Sequence, residues 1–198
     1  MKTILTLIGA LGLLGWSLTA GAQPDAPARQ KAAVCAGCHG EDGRGANPLF
    51  PKLAGQNAKY LGRQLRFFKE QTRDVPAMNA IAGTLSDEDI RLLSEYYARQ
   101  KPRLEEGEGS PEGKRIYRAG IAAKKVPACM ACHGPDAEGN GLAGFPLLKG
   151  QYVAYTVKAL SDYASGVRGE AKTPMRDIAA RMSEEEMKAV ATYLATMK

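Results

Sequence analysis

Apolar residues fall at helical spacing in two stretches that copy each other. Ile90, Leu93 and Tyr97 recur at i, i+3 and i+7 behind Ser86, and Met187, Val190 and Leu194 do the same behind Ser183. That spacing puts each trio on one face of a helix. Each serine precedes three acids, Asp87-Glu88-Asp89 and Glu184-Glu185-Glu186, the pattern of a capped N-terminus whose positive end attracts negative charge. A middle helix repeats in the same way, with Leu61, Leu65 and Phe68 against Thr156, Leu160 and Tyr163. No stretch shows the sustained alternation of a half-buried strand, so the expected fold class is all-α.

The largely apolar run from Ile4 to Leu18 has a different character. It follows a single base, Lys2, and leads into Ala20-Gly21-Ala22, a small-x-small site. It is shorter than the roughly 18 residues of a spanning helix. The reading is a secretory signal peptide, residues 1–22, cleaved after Ala22; an uncleaved anchor is the alternative.

The rest of the chain is a duplication. Cys35, Cys38 and His39 match Cys129, Cys132 and His133 at an offset of 94. "FPKLAGQNAKY" from Phe50 matches "FPLLKGQYVAY" from Phe145 at 95, and "MNAIAGTLSDEDI" from Met78 matches "MRDIAARMSEEEM" from Met175 at 97. Three blocks in one order, with the offset drifting only between them, indicate a repeated unit with small loop insertions. The expected boundaries are a first domain at 23–101, a linker at 102–113 and a second domain at 114–198. The linker is rich in Gly, Glu and Pro and ends in a helix start, with Ser110 as cap and Pro111 in the first turn. Units this small have thin cores and gain from a large apolar group at the centre.

Charge changes the picture little. The formal net charge of +6 and pI near 9.1 are spread among acids and form no basic block, which argues against nucleic acid as a partner. Residues 23–101 hold 12 bases and 9 acids, residues 114–198 hold 13 and 8, and the linker is acidic. The more basic second domain could face one partner and the first another, although such an imbalance is usually just solvated surface.

The chemistry lies in the motif. All 4 cysteines and both histidines of the chain belong to two copies of Cys-x-x-Cys-His. Export permits disulfides, but plain disulfides give no reason for a His after each second Cys. A thioredoxin-type redox pair needs a βαβ context, and a shared zinc site needs closer spacing than 90-odd residues of repeated structure allow. Covalent c-type haem attachment explains the pattern: the thiols of Cys35, Cys38, Cys129 and Cys132 add to haem vinyl groups, and the adjacent His39 and His133 ligate iron from one face. Two covalently bound haems c, one per domain, are expected. Their propionates would offset about four of the positive charges left after export.

With no histidine remaining, the sixth iron ligand is a Met, a less usual side chain such as Lys, or nothing. Met78 and Met175 alone among the methionines match each other, 39 and 42 residues beyond their histidines, each in an expected loop just behind a proline. They are the candidate axial ligands, with packing as the alternative. Met130 sits inside its own Cys loop, Met182 and Met187 match Leu85 and Ile90 and read as core, and Met197 lies at an expected frayed end. His/Met ligation raises the reduction potential and leaves iron no open position, which points to electron transfer without substrate turnover.

These motifs, each followed by a "GRGANPLFPKLAGQ"-like loop and a Met before a Ser-capped helix, resemble class I c-type cytochromes, and the tandem behind a signal peptide resembles the dihaem cytochrome c4 family over the whole exported chain. The resemblance implies two small helical cytochrome domains packed so that the haems approach edge to edge. It implies a periplasmic carrier between redox proteins, with a cytochrome bc-type complex as donor and a haem-copper terminal oxidase as acceptor. It also implies that the carbonyls of Pro51 and Pro146 accept the ring N–H of the proximal histidines; prolines that merely shape the loop are the other reading. Gln56, Gln151, Tyr60 and Tyr155 are candidates for contacts to haem edges or propionates, or for interface packing.

A monomer with a two-domain interface is expected, and peripheral membrane association stays open. Three rival functions remain: a haem subunit of a dehydrogenase complex, a dihaem peroxidase with one open iron, and a disulfide-stapled module without haem.

Overall fold

The computed structural model describes residues 25–168 and 173–197. The signal peptide assigned to residues 1–22 lies outside them. Among the described residues nine α-helices follow in chain order: α1 Ala26–His39, α2 Ala58–Lys69, α3 Pro76–Gly83, α4 Asp87–Arg99, α5 Pro111–Ala119, α6 Met130–His133, α7 Val153–Ser165, α8 Met175–Ala179 and α9 Glu184–Thr196. Among the described residues there are no strands, only the isolated bridges Ile121–Val126 and Asn140–Phe145. None of the described helices is long and apolar enough to cross a membrane. The mostly helical architecture is as the periodicity predicts.

The helices sort into two groups of the same plan. In the first half α4 packs on α1 and α2, and α3 on α2; in the second α9 packs on α5 and α7, and α8 on α7. Both closing helices begin with a capping box: Ser86 Oγ accepts from Asp89 N–H while the Asp89 carboxylate accepts from Ser86 N–H, and Ser183 and Glu186 do the same. Ile90, Leu93 and Tyr97 are buried on α4, and Met187, Val190 and Leu194 on α9. Met197 is also buried, packed with Ile116, Val190 and Leu194, where the sequence suggested a frayed end. An apolar side chain one residue past α9 finds cover against α5, and that outweighs fraying.

The halves differ at their first helices. α1 runs unbroken into Cys35 and His39, whereas its counterpart is split. α5 stops at Gly120, whose left-handed φ of 71° and contact with the Val126 carbonyl leave no room for a side chain. A loop pinned by the Ile121–Val126 pair then leads to the single turn of α6.

The two groups meet across a pseudo-symmetric interface. Gln56 Nε2 donates to the Leu147 carbonyl at 2.9 Å and Gln56 Oε1 accepts the Leu147 N–H at 2.8 Å. Gln151 makes the same pair with Lys52, at 3.1 and 3.0 Å. Further out, Arg168 donates to Tyr60 Oη (2.7 Å) and Arg73 to Tyr155 Oη (3.3 Å). Lys59 and Arg63 on α2 donate to the carbonyls of Leu142 and Gly144. Gln56, Gln151, Tyr60 and Tyr155 therefore serve the interface, one of the two roles the sequence left open. The segment between α4 and α5 packs on α9, with Glu105 N–H donating to the Ala195 carbonyl at 3.0 Å.

Candidate functional site: two Cys-x-x-Cys-His loops

Each motif ends a helix and turns sharply. Gly40 and Gly134 follow the histidines with nearly identical torsions, φ/ψ of 78°/160° and 79°/161°. A Cβ at Gly40 would stand 2.6 Å from the Gly45 carbonyl carbon, so glycine is required there. The turn lets the next loop fold back: Gly45 N–H donates to the His39 carbonyl (2.8 Å) and Gly139 N–H to that of His133 (2.9 Å). The same loops anchor on the closing helices, with Gly55 N–H donating to the Tyr97 carbonyl and Gly150 N–H to that of Leu194.

This fold-back brings a proline carbonyl to each imidazole. His39 Nδ1 lies 2.8 Å from the Pro51 carbonyl oxygen and His133 Nδ1 lies 3.0 Å from that of Pro146. A carbonyl can only accept, so Nδ1 carries the proton and Nε2 keeps its lone pair. Both rings are buried, at 6% exposure, and burial lowers their pKa while the carbonyl contact partly opposes it. The result is a neutral imidazole of fixed tautomer, the form that binds a metal. Phe50 and Phe145 lie beside the histidine rings, with centroids 6.3 and 6.1 Å away.

No disulfide joins the four cysteines; Cys38 and Cys132 are exposed and Cys35 and Cys129 half-buried. Burial raises the thiol of Cys35 and pushes that of Cys129 up to about 11. Among the described residues no group of three or more His, Cys, Asp or Glu converges as a metal site, so the two pairs do not form one shared centre. Two thiols one turn apart beside an imidazole with a free Nε2 fit a porphyrin bound through its vinyl groups and iron.

Met78 and Met175 occupy matching positions at the start of short helices, not in loops. Pro76 opens α3, and Asn79 Oδ1 accepts the Val75 N–H at 2.7 Å; Pro174 precedes α8. A proline in the first turn loses no helical hydrogen bond, so the signal that suggested a loop starts a helix instead. Both methionines are half-buried, and Met175 packs against the cluster of Tyr163, Ala179 and Met187.

Two residues lie near the thiols whose place there the sequence did not show. Tyr97 on α4 packs in the same cluster as Cys35. On the other side Tyr117 on α5 is fully buried near Cys129 and donates to the Gly134 carbonyl. Burial raises both phenols well above their ordinary value. The two tyrosines come from helices that do not match in the repeat, which hid them; the buried helical face on which Tyr97 falls was the one available sign.

Helical domains of this plan, each with a Cys-x-x-Cys-His turn and an imidazole held by a proline carbonyl, define a c-type cytochrome with one covalent haem c per domain. The cytochrome c sequence model matches residues 110–198, and the model described as cytochrome C oxidase, cbb3-type, subunit III matches residues 22–96. The chain belongs to the cytochrome c4 family: it is 40% identical, over 98% of its length, to cytochrome c4 of Azotobacter vinelandii, of which it covers 97%. Among solved structures, reduced recombinant cytochrome c4 from Pseudomonas stutzeri superposes with a TM-score of 0.81 at 36% identity, over 87% of this chain and 97% of that one. A relative from Thiomonas intermedia, 36% identical over 98% of this chain and 91% of its own, is named thiosulfate dehydrogenase electron acceptor. The chain is thus a dihaem electron-transfer protein, and the expected haem content and fold class stand.

Proposed function

We propose that the chain is a periplasmic carrier whose two irons are ligated by His39 and Met78 and by His133 and Met175, that its domains divide at 102–113, and that it passes electrons from a cytochrome bc-type donor to a haem-copper terminal oxidase without turning over a substrate itself. The observation that carries the ligation is the paired contact of His39 with Pro51 and His133 with Pro146, which leaves both Nε2 atoms free to ligate. The bound haem supplies a one-electron iron couple. The protein binds it through the four cysteines and holds each proximal proton on Nδ1. Met78 and Met175 would each supply a thioether ligand, which would raise the potential and leave iron closed to oxygen or peroxide.

A redox titration with optical spectra of the holoprotein tests the ligation. Two low-spin haems are expected. Replacing Met78 or Met175 by Ala should lower the potential of one haem only and open that iron to carbon monoxide. A wild-type protein that binds carbon monoxide at one iron would instead favour the peroxidase reading.

The name of the Thiomonas intermedia relative favours a second reading for the partner, a dehydrogenase that feeds this carrier. Reduction by a purified bc-type complex, compared with reduction by thiosulfate dehydrogenase plus thiosulfate, separates the two. A monomer is proposed on the ground that the extensive polar seam joins the chain's own domains.

A further inference from the structure

The interface is symmetric in its glutamines but not around Lys52. Positions 52 and 57 of the first half match 147 and 152 of the second, so Lys52 stands where the other half has Leu147, and Tyr152 where it has Asn57. The two departures meet each other: the Lys52 ammonium lies 4.4 Å from the centre of the Tyr152 ring. Lys52 is buried, with only 5% of its side chain exposed. Its Nζ donates to the carbonyls of Arg103 (2.9 Å) in the linker and Gly150 (2.8 Å) in the second domain, and pairs with the Glu105 carboxylate. One side chain thus ties the first domain, the linker and the second domain together, its buried ammonium matched by the partly exposed Glu105 carboxylate.

The contact reaches towards the first haem loop. Tyr152 packs so closely on Gly45 that a Cβ there would fall 2.3 Å from Tyr152 Oη, and Gly45 N–H holds the His39 carbonyl. In the other direction Asn57 Nδ2 donates to the Phe145 carbonyl at 2.6 Å, beside Pro146. Each haem loop therefore rests on a residue from the opposite domain. The side made by Lys52 and Tyr152 is also hydrogen-bonded to the linker.

We propose that Lys52 and Tyr152 form a latch that fixes how the domains face each other and so sets the rate at which an electron passes between the two haems. Transfer between fixed sites falls steeply with their separation, so a hinge at this seam would slow it without altering either haem. The proposal rests on one haem per domain and is independent of which partners the carrier serves. Loss of activity with a partner and loss of internal transfer are separate measurements.

The experiment uses the holoprotein, reduced by one electron in a flash and followed as the two haems equilibrate. Lys52→Leu and Tyr152→Asn each install the residue that the other half carries. Both should slow internal transfer at least tenfold and open the linker to protease, with haem content and spectra unchanged. Tyr152→Phe keeps the ring over the ammonium and should keep the wild-type rate. Wild-type transfer in either of the first two variants overturns the latch, as does a Tyr152→Phe variant as slow as Tyr152→Asn. If Lys52→Leu fails to fold, the two Tyr152 variants decide alone.

Discussion

Gln56 and Leu147 close a two-bond ring across the domain seam, the amide of one donating to and accepting from the backbone of the other. Gln56 Oε1 also accepts the N–H of Asn57 at 2.9 Å, so one side chain satisfies three backbone groups, two on Leu147 and one at the head of α2. Gln56→Ala leaves all three without a protein partner in a buried seam, at a cost of roughly 1–3 kcal/mol. The expected result is a lower thermal midpoint of the holoprotein, with Gln151→Ala alike because it mirrors the contact. Gln56→Glu should be worse near neutral pH, where a carboxylate faces the Leu147 carbonyl, and should recover in acid as it regains a donor. Melting curves at two pH values check all three.

Asp89 gives a pH prediction with a definite sign. Its carboxylate accepts from Lys31, at 2.5 Å, and from Ser86, and these hold its pKa at about 2 instead of 3.8. A carboxyl depressed on folding stabilises the fold above its unfolded pKa and loses that contribution as pH falls through its folded one. The contribution of Asp89 is therefore complete above about pH 4 and fades toward pH 2. Asp89→Asn should be less stable than wild type at pH 6, and the gap should close across that window. Urea midpoints measured from pH 6 down to 2 show whether it does.

Gly113 is where α5 crosses α9. A Cβ there would fall 2.0 Å from the Ala189 carbonyl oxygen and 2.8 Å from Tyr193 Cβ, and neither neighbour is a flexible tip. Helix propensity favours Gly113→Ala by about 1 kcal/mol, but overpacking against backbone costs about 3 kcal/mol or more. The clash wins. The variant should lower the stability of the second domain, read by denaturation followed at its own haem.

What the sequence made legible was mostly local. Ser86 and Ser183 with their following acids marked two helix starts, and the apolar trios marked the faces that α4 and α9 bury. The haem motif was legible because its spacing carries its own chemistry. What depends on distant chain was not. Pro76 and Pro174 read as loop signals because nothing local says whether a helix follows. Met197 read as a loose end because its cover comes from α5. Nothing near Lys52 in the chain separates it from a solvated lysine, since its partners lie 51 residues away and beyond. Tyr97 and Tyr117 reach the two thiol pairs from helices that do not correspond, so comparing the halves could not reveal them.

The sparse core of the first domain predicts what haem removal does. Its main buried cluster is Ala28, Ala32, Leu61, Leu93, Tyr96 and Tyr97, two of them alanines, and chain entropy opposes folding at roughly 1–2 kcal/mol per residue. A cluster that small does not offset the cost for a unit of this size without the apolar surface of a bound porphyrin. The second domain adds Ile116, Tyr117, Ile121, Val126 and Met197 to its cluster and has the larger core. A Cys35→Ala/Cys38→Ala variant should therefore keep one haem, lose most of the helical signal of α1 to α4, and be cut by protease within the first domain. The matching Cys129→Ala/Cys132→Ala variant should retain more of its helix content. Circular dichroism with mass mapping of the fragments compares them. Equal losses in the two variants would mean that the haem, and not the protein core, supplies nearly all the apolar contact in both halves.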